Sequence, residues 1–245
     1  MNLFKNIIFF VIIPCLCFSE VYLSSPKKIV SFECCFIRKN FYNNFSKTVK
    51  GRLYFDDVKK SIAYEYGAPF NFKFIINDTI ILGINLKKNI GYILNINKIL
   101  SSYCNVYNSI NFIEPYLKCV NADNSYKILR RNFDANYIFE LKNNLGYQLY
   151  IQDIDLATIT CIESFDFKDD LIEKIKFRYN AKKNFYDFPI WMERKRMCNN
   201  IFMVDTILFY DISLNKKVTN EYFLPPKGCK LNNIEDMEKI YIIDK

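Results

Sequence analysis

The sequence predicts a mainly β protein built on one large antiparallel sheet. Short segments in which apolar and polar residues alternate recur between residues 31 and 224, and this period of two is typical of strands with one buried face. The apolar faces are unusually aromatic, in a chain with 18 Tyr and 23 Phe. About eleven such strands are interrupted by one apolar insert, and a sheet of that size must curl or close to protect its edges.

The first element is an apolar leader at residues 7–18. It contains Pro14 and is too short to span a bilayer, which takes about 20 residues. One basic residue precedes it, and small residues stand at the positions expected of a cleavage site before Glu20. We therefore expect residues 1–19 to be a signal peptide and residues 20–245 to form a single exported domain.

The first half of the mature chain supplies the clearest strands. Their inner faces are predicted to be Phe32/Cys34/Phe36, Leu53/Phe55, Ile62/Tyr64/Tyr66, Phe70/Phe72/Phe74 and Ile80/Leu82/Ile84. The polar residues Glu33, Arg52 and Lys73 alternate with them and are expected to face solvent. A further strand over residues 91–96 places Tyr92 on the inner face.

The insert is predicted to form two short helices or turns, at residues 97–103 and 109–117. Its apolar positions are Ile99, Leu100, Tyr103, Ile110, Phe112 and Ile113.

Sheet resumes after the insert. Alternation predicts strands at Tyr137/Phe139/Leu141, Tyr147/Leu149/Ile151 and Ile175/Phe177/Tyr179, and longer apolar segments predict strands over residues 157–167, 188–193 and 201–213. Phe139 and Phe177 are expected inside, with Glu140 and Lys176 outside. The sheet is expected to end at residues 222–224.

The residue types present exclude most catalytic sites. The chain has no histidine, which removes Ser-His-Asp and Cys-His catalysis and the histidine-bearing metal sites. The acidic pairs at residues 56–57, 153/155 and 169–170 lie in turn-like stretches, where Asp commonly bonds the local backbone. Phosphate-binding glycine loops and dinucleotide fingerprints are also missing from the sequence. We expect a protein that is not an enzyme and that uses no cofactor and no metal.

The charged residues give a weaker indication of function. The chain has 34 basic and 26 acidic residues, which are dispersed and form no basic stripe of the kind that binds nucleic acid. We expect no nucleic-acid partner. A mildly positive field favours anionic membrane surfaces or acidic partners.

The cysteines leave their pairing open. Two of the 9 lie in the leader, so an odd number remains in the mature chain and at least one thiol is free or bonded to another molecule. Cys104 and Cys119 are the candidates for a bridge by proximity. Cys34 and Cys161 are expected to be buried free thiols.

Five segments resemble, in order, the periplasmic outer-membrane lipoprotein carrier family (LolA-like). They are Ser31-Phe-Glu-Cys-Cys-Phe, Gly51-Arg-Leu-Tyr-Phe, Ile62-Ala-Tyr-Glu-Tyr-Gly-Ala-Pro69, Ile75-Ile-Asn-Asp-Thr-Ile-Ile-Leu and Phe223-Leu-Pro-Pro-Lys-Gly-Cys-Lys. Val58-Lys59 stands where the family often has Arg-Pro, and Thr79 replaces the usual hairpin glycine. In the family that arginine holds the lid closed, so Lys59 and Lys60 are the candidates to substitute for it.

The resemblance implies a half-open barrel: a strongly curved antiparallel sheet with short lid helices on its concave side. It implies a monomeric periplasmic carrier that holds the acyl chains of lipoproteins in a hydrophobic cavity and moves them towards the outer membrane. Its partners would be the lipoproteins, an inner-membrane release complex and an outer-membrane acceptor. The predicted cavity residues are Phe32, Phe36, Phe55, Ile62, Tyr64, Phe72, Phe74, Tyr92, Phe139 and Phe177, and the predicted lid residues are Ile99, Leu100, Tyr103, Ile110 and Phe112.

Two alternatives stay open. A sheet that packs a solid core shows the same alternation as one that lines a cavity. The protein would then be an envelope sensor or interaction module of the same fold. Acylation of Cys15 or Cys17 would make it a tethered lipoprotein itself.

Overall fold

The computed structural model describes residues 28–42, 45–96, 111–121, 127–131, 136–143, 146–153, 158–180, 188–198 and 201–233. The strands are β1 (Ser31–Tyr42), β2 (Phe45–Asp56), β3 (Ser61–Tyr66), β4 (Phe72–Ile76), β5 (Ile80–Asn85), β6 (Ile90–Asn95), β7 (Lys127–Arg131), β8 (Asn136–Asn143), β9 (Gly146–Asp153), β10 (Ile159–Phe165), β11 (Leu171–Arg178), β12 (Trp191–Cys198), β13 (Ile201–Leu214) and β14 (Lys230–Asn233). One α-helix, α1 (Glu114–Asn121), and one 3-10 helix (Asn220–Phe223) complete the elements used below.

All 14 strands of the described residues belong to one sheet, in the order β14-β6-β5-β4-β3-β2-β1-β13-β12-β11-β10-β9-β8-β7. Neighbouring strands are antiparallel, except that β14 runs parallel to β6. The sheet ends at β14 and β7 and does not close, so it forms a curved half-open barrel. The predicted fold class is confirmed, with more strands than the sequence indicates.

The two end strands, β7 and β14, are the ones that the sequence does not predict. Neither KILRR nor KLNN shows clear alternation. All four residues of β14 are exposed, because the strand lies at the edge of the sheet. The sheet therefore does not end at residues 222–224; that segment lies at the 3-10 helix, and β14 follows it.

The inner face of β1 to β4 is the face that the sequence predicts. The register places Phe32, Phe55, Ile62 and Ile76 in one row across the four strands. Residues that pair across strands point to the same face, so the row is a continuous apolar strip. Gly51 is required beside it, since a Cβ there would lie 2.6 Å from the ring of Phe36.

The assignment of Leu82 and Ile84 to this inner face is wrong. In the register Phe74 pairs with Gly83 and Ile75 pairs with Leu82, which places Leu82 and Ile84 on the outer face. Both faces of β5 are buried, so its sequence is apolar throughout and alternation carries no information about which residues point inward.

Strand β9 is also offset by one residue from the prediction. Tyr150 is buried in the main core cluster and pairs with Ile162, whereas Leu149 and Ile151 point to the opposite face. Gln148 and Gln152 therefore lie on the inner side. A one-residue change of register exchanges the two faces of a strand, so the inner face is more polar over β9 than the sequence indicates.

The outer face of β2 to β6 is covered by the segment that follows β13. Tyr222 stacks on Tyr54 with ring centroids 3.9 Å apart and planes 11° apart. The Lys73 ammonium donates a 3.1 Å hydrogen bond to the Leu224 carbonyl. Lys73 does point outward, but it is 6% exposed, so the prediction that it faces solvent is wrong. This segment creates a second core cluster, made of Tyr54, Ala63, Ile75, Leu82, Ile84, Val218 and Phe223.

Helix α1 begins and ends later than the predicted helix at 109–117. Its apolar residues Tyr116, Leu117 and Val120 are buried against the inner face of the sheet, while Lys118 is exposed and pairs with Glu114. The helix therefore covers the concave side, as the predicted lid does. The other predicted lid segment, residues 97–103, lies outside the described residues.

Candidate functional site

The concave face collects the cavity residues that the sequence predicts. Phe32, Phe36, Phe55, Ile62, Tyr64, Phe72, Phe74 and Phe177 belong to the main buried cluster, and Tyr92 packs against it. Phe139 pairs with the inner-face residue Tyr150 in the register, but its side chain lies outside the described ones. These residues share one face of the sheet, and their contact with an acyl chain stays a prediction.

One predicted lid residue, Phe112, can be placed. It is fully buried just before α1, with its ring centroid 4.9 Å from that of Tyr64 and 5.5 Å from that of Phe36. Phe112 therefore closes the middle of the concave face. Ile99, Leu100, Tyr103 and Ile110 lie outside the described residues, and their role stays a prediction.

Side chains that the sequence analysis does not single out fill the rest of the centre. The ring of Tyr116 lies 5.1 Å from that of Phe177 and 5.7 Å from that of Phe188. Phe188 in turn lies 4.8 Å from Phe32 and 5.4 Å from Phe209. The centre of the concave face is thus a packed aromatic core. The alternation of β13 could have revealed Phe209, whereas Tyr116 and Phe188 lie outside any strand.

A pocket of about 330 Å³ opens beside this core, between α1 and the ends of β2, β3 and β4. Its apolar wall consists of Phe55, Ile62, Ile76 and Leu117. Its polar lining consists of Asp57, Lys60, Asn77, Asp78, Asn111, Glu114 and Lys118. The volume lies at the lower end of the range for small-molecule sites, which is ~300–1,000 Å³. An apolar wall with a charged rim suits an amphiphile whose chain enters the pocket and whose polar end stays outside.

Ion pairs build the rim of the pocket. The Lys60 ammonium lies 2.8 Å from one carboxylate oxygen of Asp57, and that of Lys28 lies 3.4 Å from the other. Partial burial disfavours the charged form of Asp57, but the two ammonium groups outweigh it and lower the pKa of the carboxyl. The rim is therefore charged at neutral pH and stays in water at the mouth of the pocket.

A short hydrogen-bonded chain ties α1 to the sheet above this pocket. The Tyr64 hydroxyl donates a 2.7 Å bond to the side-chain oxygen of Asn111, and the Asn111 amide donates a 2.8 Å bond to Glu114. Asn111 is 2% exposed. The first turn of α1 is thus fixed to β3 by polar contacts as well as by the ring of Phe112.

No protein-family model and no curated protein matches the chain, but solved structures do. A DUF1329 family protein from Desulfovibrio piger has a TM-score of 0.61 and 16% identity, covering 82% of this chain and 92% of that chain. A LolA superfamily protein from Nitrosomonas europaea has a TM-score of 0.57 and 9% identity, covering 82% and 95%. An outer membrane lipoprotein-sorting protein domain from Vibrio parahaemolyticus has a TM-score of 0.54 and 11% identity, covering 79% and 88%.

The chain has the LolA-like fold. The similarity extends over most of each chain, and the half-open sheet with a helix on its concave side is the arrangement that the sequence resemblance implies. At these identities the comparison establishes the fold.

Lys59 and Lys60 are the candidates to replace the lid-holding arginine of LolA-like proteins, and in the described residues neither forms an ion pair or hydrogen bond with α1. The Lys59 ammonium lies 3.1 Å from Asp56 and 5.0 Å from the Phe223 ring, and Lys60 binds Asp57. A different cation reaches the lid segment: the guanidinium of Arg38 lies 5.2 Å from the centroid of Phe112.

Arg38 belongs to a buried ionic cluster on the concave side of β1, β11, β12 and β13. Its guanidinium lies 2.8 Å from Asp205, and that of Arg194 lies 2.6 Å from Glu173. Burial disfavours the charged form of Arg38, but Asp205 outweighs it and raises the pKa. Burial and the neighbouring Arg194 lower the pKa of Arg196. Arg194 and Arg196 are both buried, because the concave side encloses them.

Cys34 and Cys161 are buried free thiols, as the sequence predicts. Burial raises the pKa of Cys161 to about 11. Cys104 and the side chain of Cys119 lie outside the part of the chain that the structure describes, so a bridge between them stays a prediction.

Two kinds of feature were not found in the described residues. No group of three His, Cys, Asp or Glu side chains there could hold a metal ion. None of the helices there combines the length and the apolar character that a membrane span requires.

Proposed function

We propose that the protein is a carrier that binds the acyl chains of lipoproteins on the concave side of the sheet and moves them towards the outer membrane. The chain would be exported by the signal peptide at residues 1–19, and residues 20–245 would act as one domain in the periplasm. A release complex at the inner membrane and an acceptor at the outer membrane would be its partners. No catalytic step and no cofactor enters this proposal.

The observation that carries the proposal is the pocket beside α1. Its wall of Phe55, Ile62, Ile76 and Leu117 continues directly into the aromatic core. An acyl chain needs a dry lining more than specific polar partners, because each buried CH₂ contributes about 0.8 kcal/mol. A pocket with this wall gives a chain its entry point, and the charged rim leaves the polar end of the cargo in water.

Loading of more than a short segment requires α1 to move. Phe112 and Tyr116 occupy the space over Phe36 and Phe177 that a longer chain would take. Displacing the helix would open the pocket onto that aromatic lining. The contacts that resist displacement are the ring of Phe112 and the hydrogen-bonded chain through Asn111.

A second function is favoured by a different observation, the packed centre of the concave face. If Phe112, Tyr116 and Phe188 form a permanent core, the protein has no cavity to load and acts as an envelope sensor or interaction module of the same fold. The pocket would then be a surface cleft beside the helix.

Native mass spectrometry of the protein purified from its own envelope separates the two functions. The carrier is expected to retain lipoprotein or an acyl-chain mass, and the Ile62→Asp variant is expected to lose it, because an unpaired buried charge is strongly disfavoured. Val58→Asp is the matched control, since Val58 is 89% exposed. A bare parent protein that also fails to bind an acyl probe would contradict the carrier and support the interaction module.

A further inference from the structure

The outer face of β11, β12, β13, β1 and β2 carries one row of residues with a distinct order. The register aligns Arg178, Trp191, Leu208, Ile37 and Lys50 across the five strands. The row therefore has three apolar side chains in the middle and a cation at each end. We call this row, together with the neighbouring Tyr210, the outer patch.

Two of the four apolar side chains of the outer patch are exposed, and the other two, Ile37 and Trp191, are partly exposed. Leu208 is 44% exposed and Tyr210 is 37% exposed. On the other half of the outer face, Tyr54 is covered by Tyr222 and is 3% exposed. A contiguous apolar surface rimmed by polar residues indicates an interaction site.

Around the outer patch, seven basic side chains point outward against five acidic ones, a modest excess of positive charge. The Arg178 guanidinium lies 4.4 Å from the Trp191 ring centroid, and Lys39 lies 4.8 Å from that of Phe41 in the same face of β1. Other basic residues that point outward in these strands are Lys50, Arg52, Lys174, Lys176 and Lys195, and the nearby acidic residues are Glu33, Glu65, Glu163, Glu193 and Asp211. Glu193 pairs with Lys195 and Glu163 pairs with Lys174, so the remaining cations outnumber the remaining carboxylates.

We infer that the outer patch docks the protein on an anionic lipid surface. The convex curvature of this face brings the middle of the row nearest to a flat bilayer. Trp191 and Tyr210 would lie at the headgroup level, where amphipathic rings are enriched. The cations at the two ends of the row would contact lipid phosphates. Each basic residue near an anionic surface raises the binding constant about fivefold. This inference does not rest on the proposed function, because the patch and the pocket lie on opposite faces of the sheet.

An acidic protein or a second copy of this chain is a less suitable partner. Protein interfaces depend on anchors that fill pockets, whereas the outer patch is a row of side chains on an open sheet face. A second copy would place the cations of the row against one another.

The chain contains a single tryptophan, Trp191, so its fluorescence reports directly on the outer patch. Vesicles of phosphatidylglycerol and phosphatidylcholine are expected to shift the Trp191 emission to shorter wavelength, and brominated acyl chains are expected to quench it. Pure phosphatidylcholine vesicles should bind at least tenfold more weakly. Raising the salt concentration should weaken binding to the anionic vesicles, since exposed charges are screened.

Variants of the full mature protein locate the contact. Lys50→Gln is expected to weaken vesicle binding about fivefold, and Leu208→Ser should weaken it further by removing an inserted side chain. Val58→Ser is the control, because it changes an exposed apolar residue that lies in a turn away from the patch. The thermal unfolding temperature of each variant shows whether it is folded.

Three results would overturn the inference. They are equal binding to neutral and anionic vesicles, unchanged binding by folded Leu208→Ser and Lys50→Gln variants, and a Trp191 shift that follows self-association or an added acidic protein without any vesicle. Loss of acyl-probe binding in the pocket variant Ile62→Asp should leave vesicle docking intact, which keeps this test separate from that of the carrier.

Discussion

The buried hydroxyl of Tyr64 on β3 donates a 2.7 Å hydrogen bond to the side chain of Asn111, three residues before α1 begins. The same Asn111 donates to Glu114 in the first turn of the helix. One polar side chain thus connects the floor of the concave face to the helix that covers it. If α1 is the lid of a carrier, this contact is part of what keeps the lid closed.

Tyr64→Phe removes the hydroxyl donor and keeps the ring. We expect a loss of about 1–3 kcal/mol in the free energy of unfolding, because buried Asn111 loses this hydrogen bond. Hydrogen exchange of the α1 amides should accelerate more than that of β2 or β4. Tyr222→Phe, on the outer face, is the control and should leave α1 exchange unchanged. Uniform acceleration across the sheet would mean that the bond stabilises the whole fold and not the lid.

Phe112→Ala tests the ring that closes the centre of the concave face. Truncating a fully buried Phe costs about 3–5 kcal/mol when the surroundings cannot collapse. In a carrier, the space left between Tyr64 and Phe36 would admit an acyl chain, so probe binding should become tighter or faster while stability falls. Phe167→Ala is the control, since Phe167 is 74% exposed. Lower stability with unchanged probe binding would favour a permanent core.

Asp205→Asn tests the buried ionic cluster. The Arg38 and Asp205 side chains are 6% and 4% exposed, so removing the carboxylate leaves a buried guanidinium without its charged partner. We expect a loss of about 3–5 kcal/mol, measured by urea denaturation. Glu193→Gln breaks a pair whose side chains are 43% and 23% exposed and should cost less than about 1 kcal/mol. Similar losses for both variants would contradict the burial of the cluster.

The pH dependence of stability tests the rim of the pocket. The pKa of Asp57 in the folded protein is lowered by Lys60 and Lys28 against the effect of burial. The contribution of the ionised Asp57 carboxylate to the free energy of unfolding is therefore complete above the pKa of Asp in the unfolded chain, about 3.9. It is lost as the pH falls through the lower pKa that Asp57 has in the folded protein. Asp57→Asn should be less stable than the parent at pH 7, and the difference should shrink towards pH 2. A pH-independent difference for Asp57→Asn would refute the ion pair.

The parts of the fold that the sequence predicts are those in which polar and apolar residues alternate. Glu33 and Arg52 mark the outer faces of β1 and β2, so Phe32 and Phe55 are assigned correctly. Leu82 is assigned to the wrong face because β5 is buried on both sides, and the covering segment is distant in sequence. The buried position of Lys73 has the same cause.

Only part of the candidate site can be predicted from the pattern of polar and apolar residues. Phe112 could be recognised as part of an apolar insert on the concave side. Tyr116 and Phe188, which complete the packed centre, are set by tertiary contacts that no strand period predicts. Arg38 and Arg194 occupy inner-face positions of their strands. From the sequence alone a charged residue is predicted to be exposed to solvent, because the buried carboxylate that pairs with it is not known.

The most direct test of the carrier is photocrosslinking with a fatty acid that carries a diazirine near the end of its chain. The mature protein is labelled, digested and sequenced by mass spectrometry. If the protein is a carrier, label is expected on Phe55, Ile62, Ile76 or Leu117, and it should be lost in Ile62→Asp but not in Val58→Asp. Label confined to the outer face, at Trp191 or Leu208, or no label at all, would contradict it.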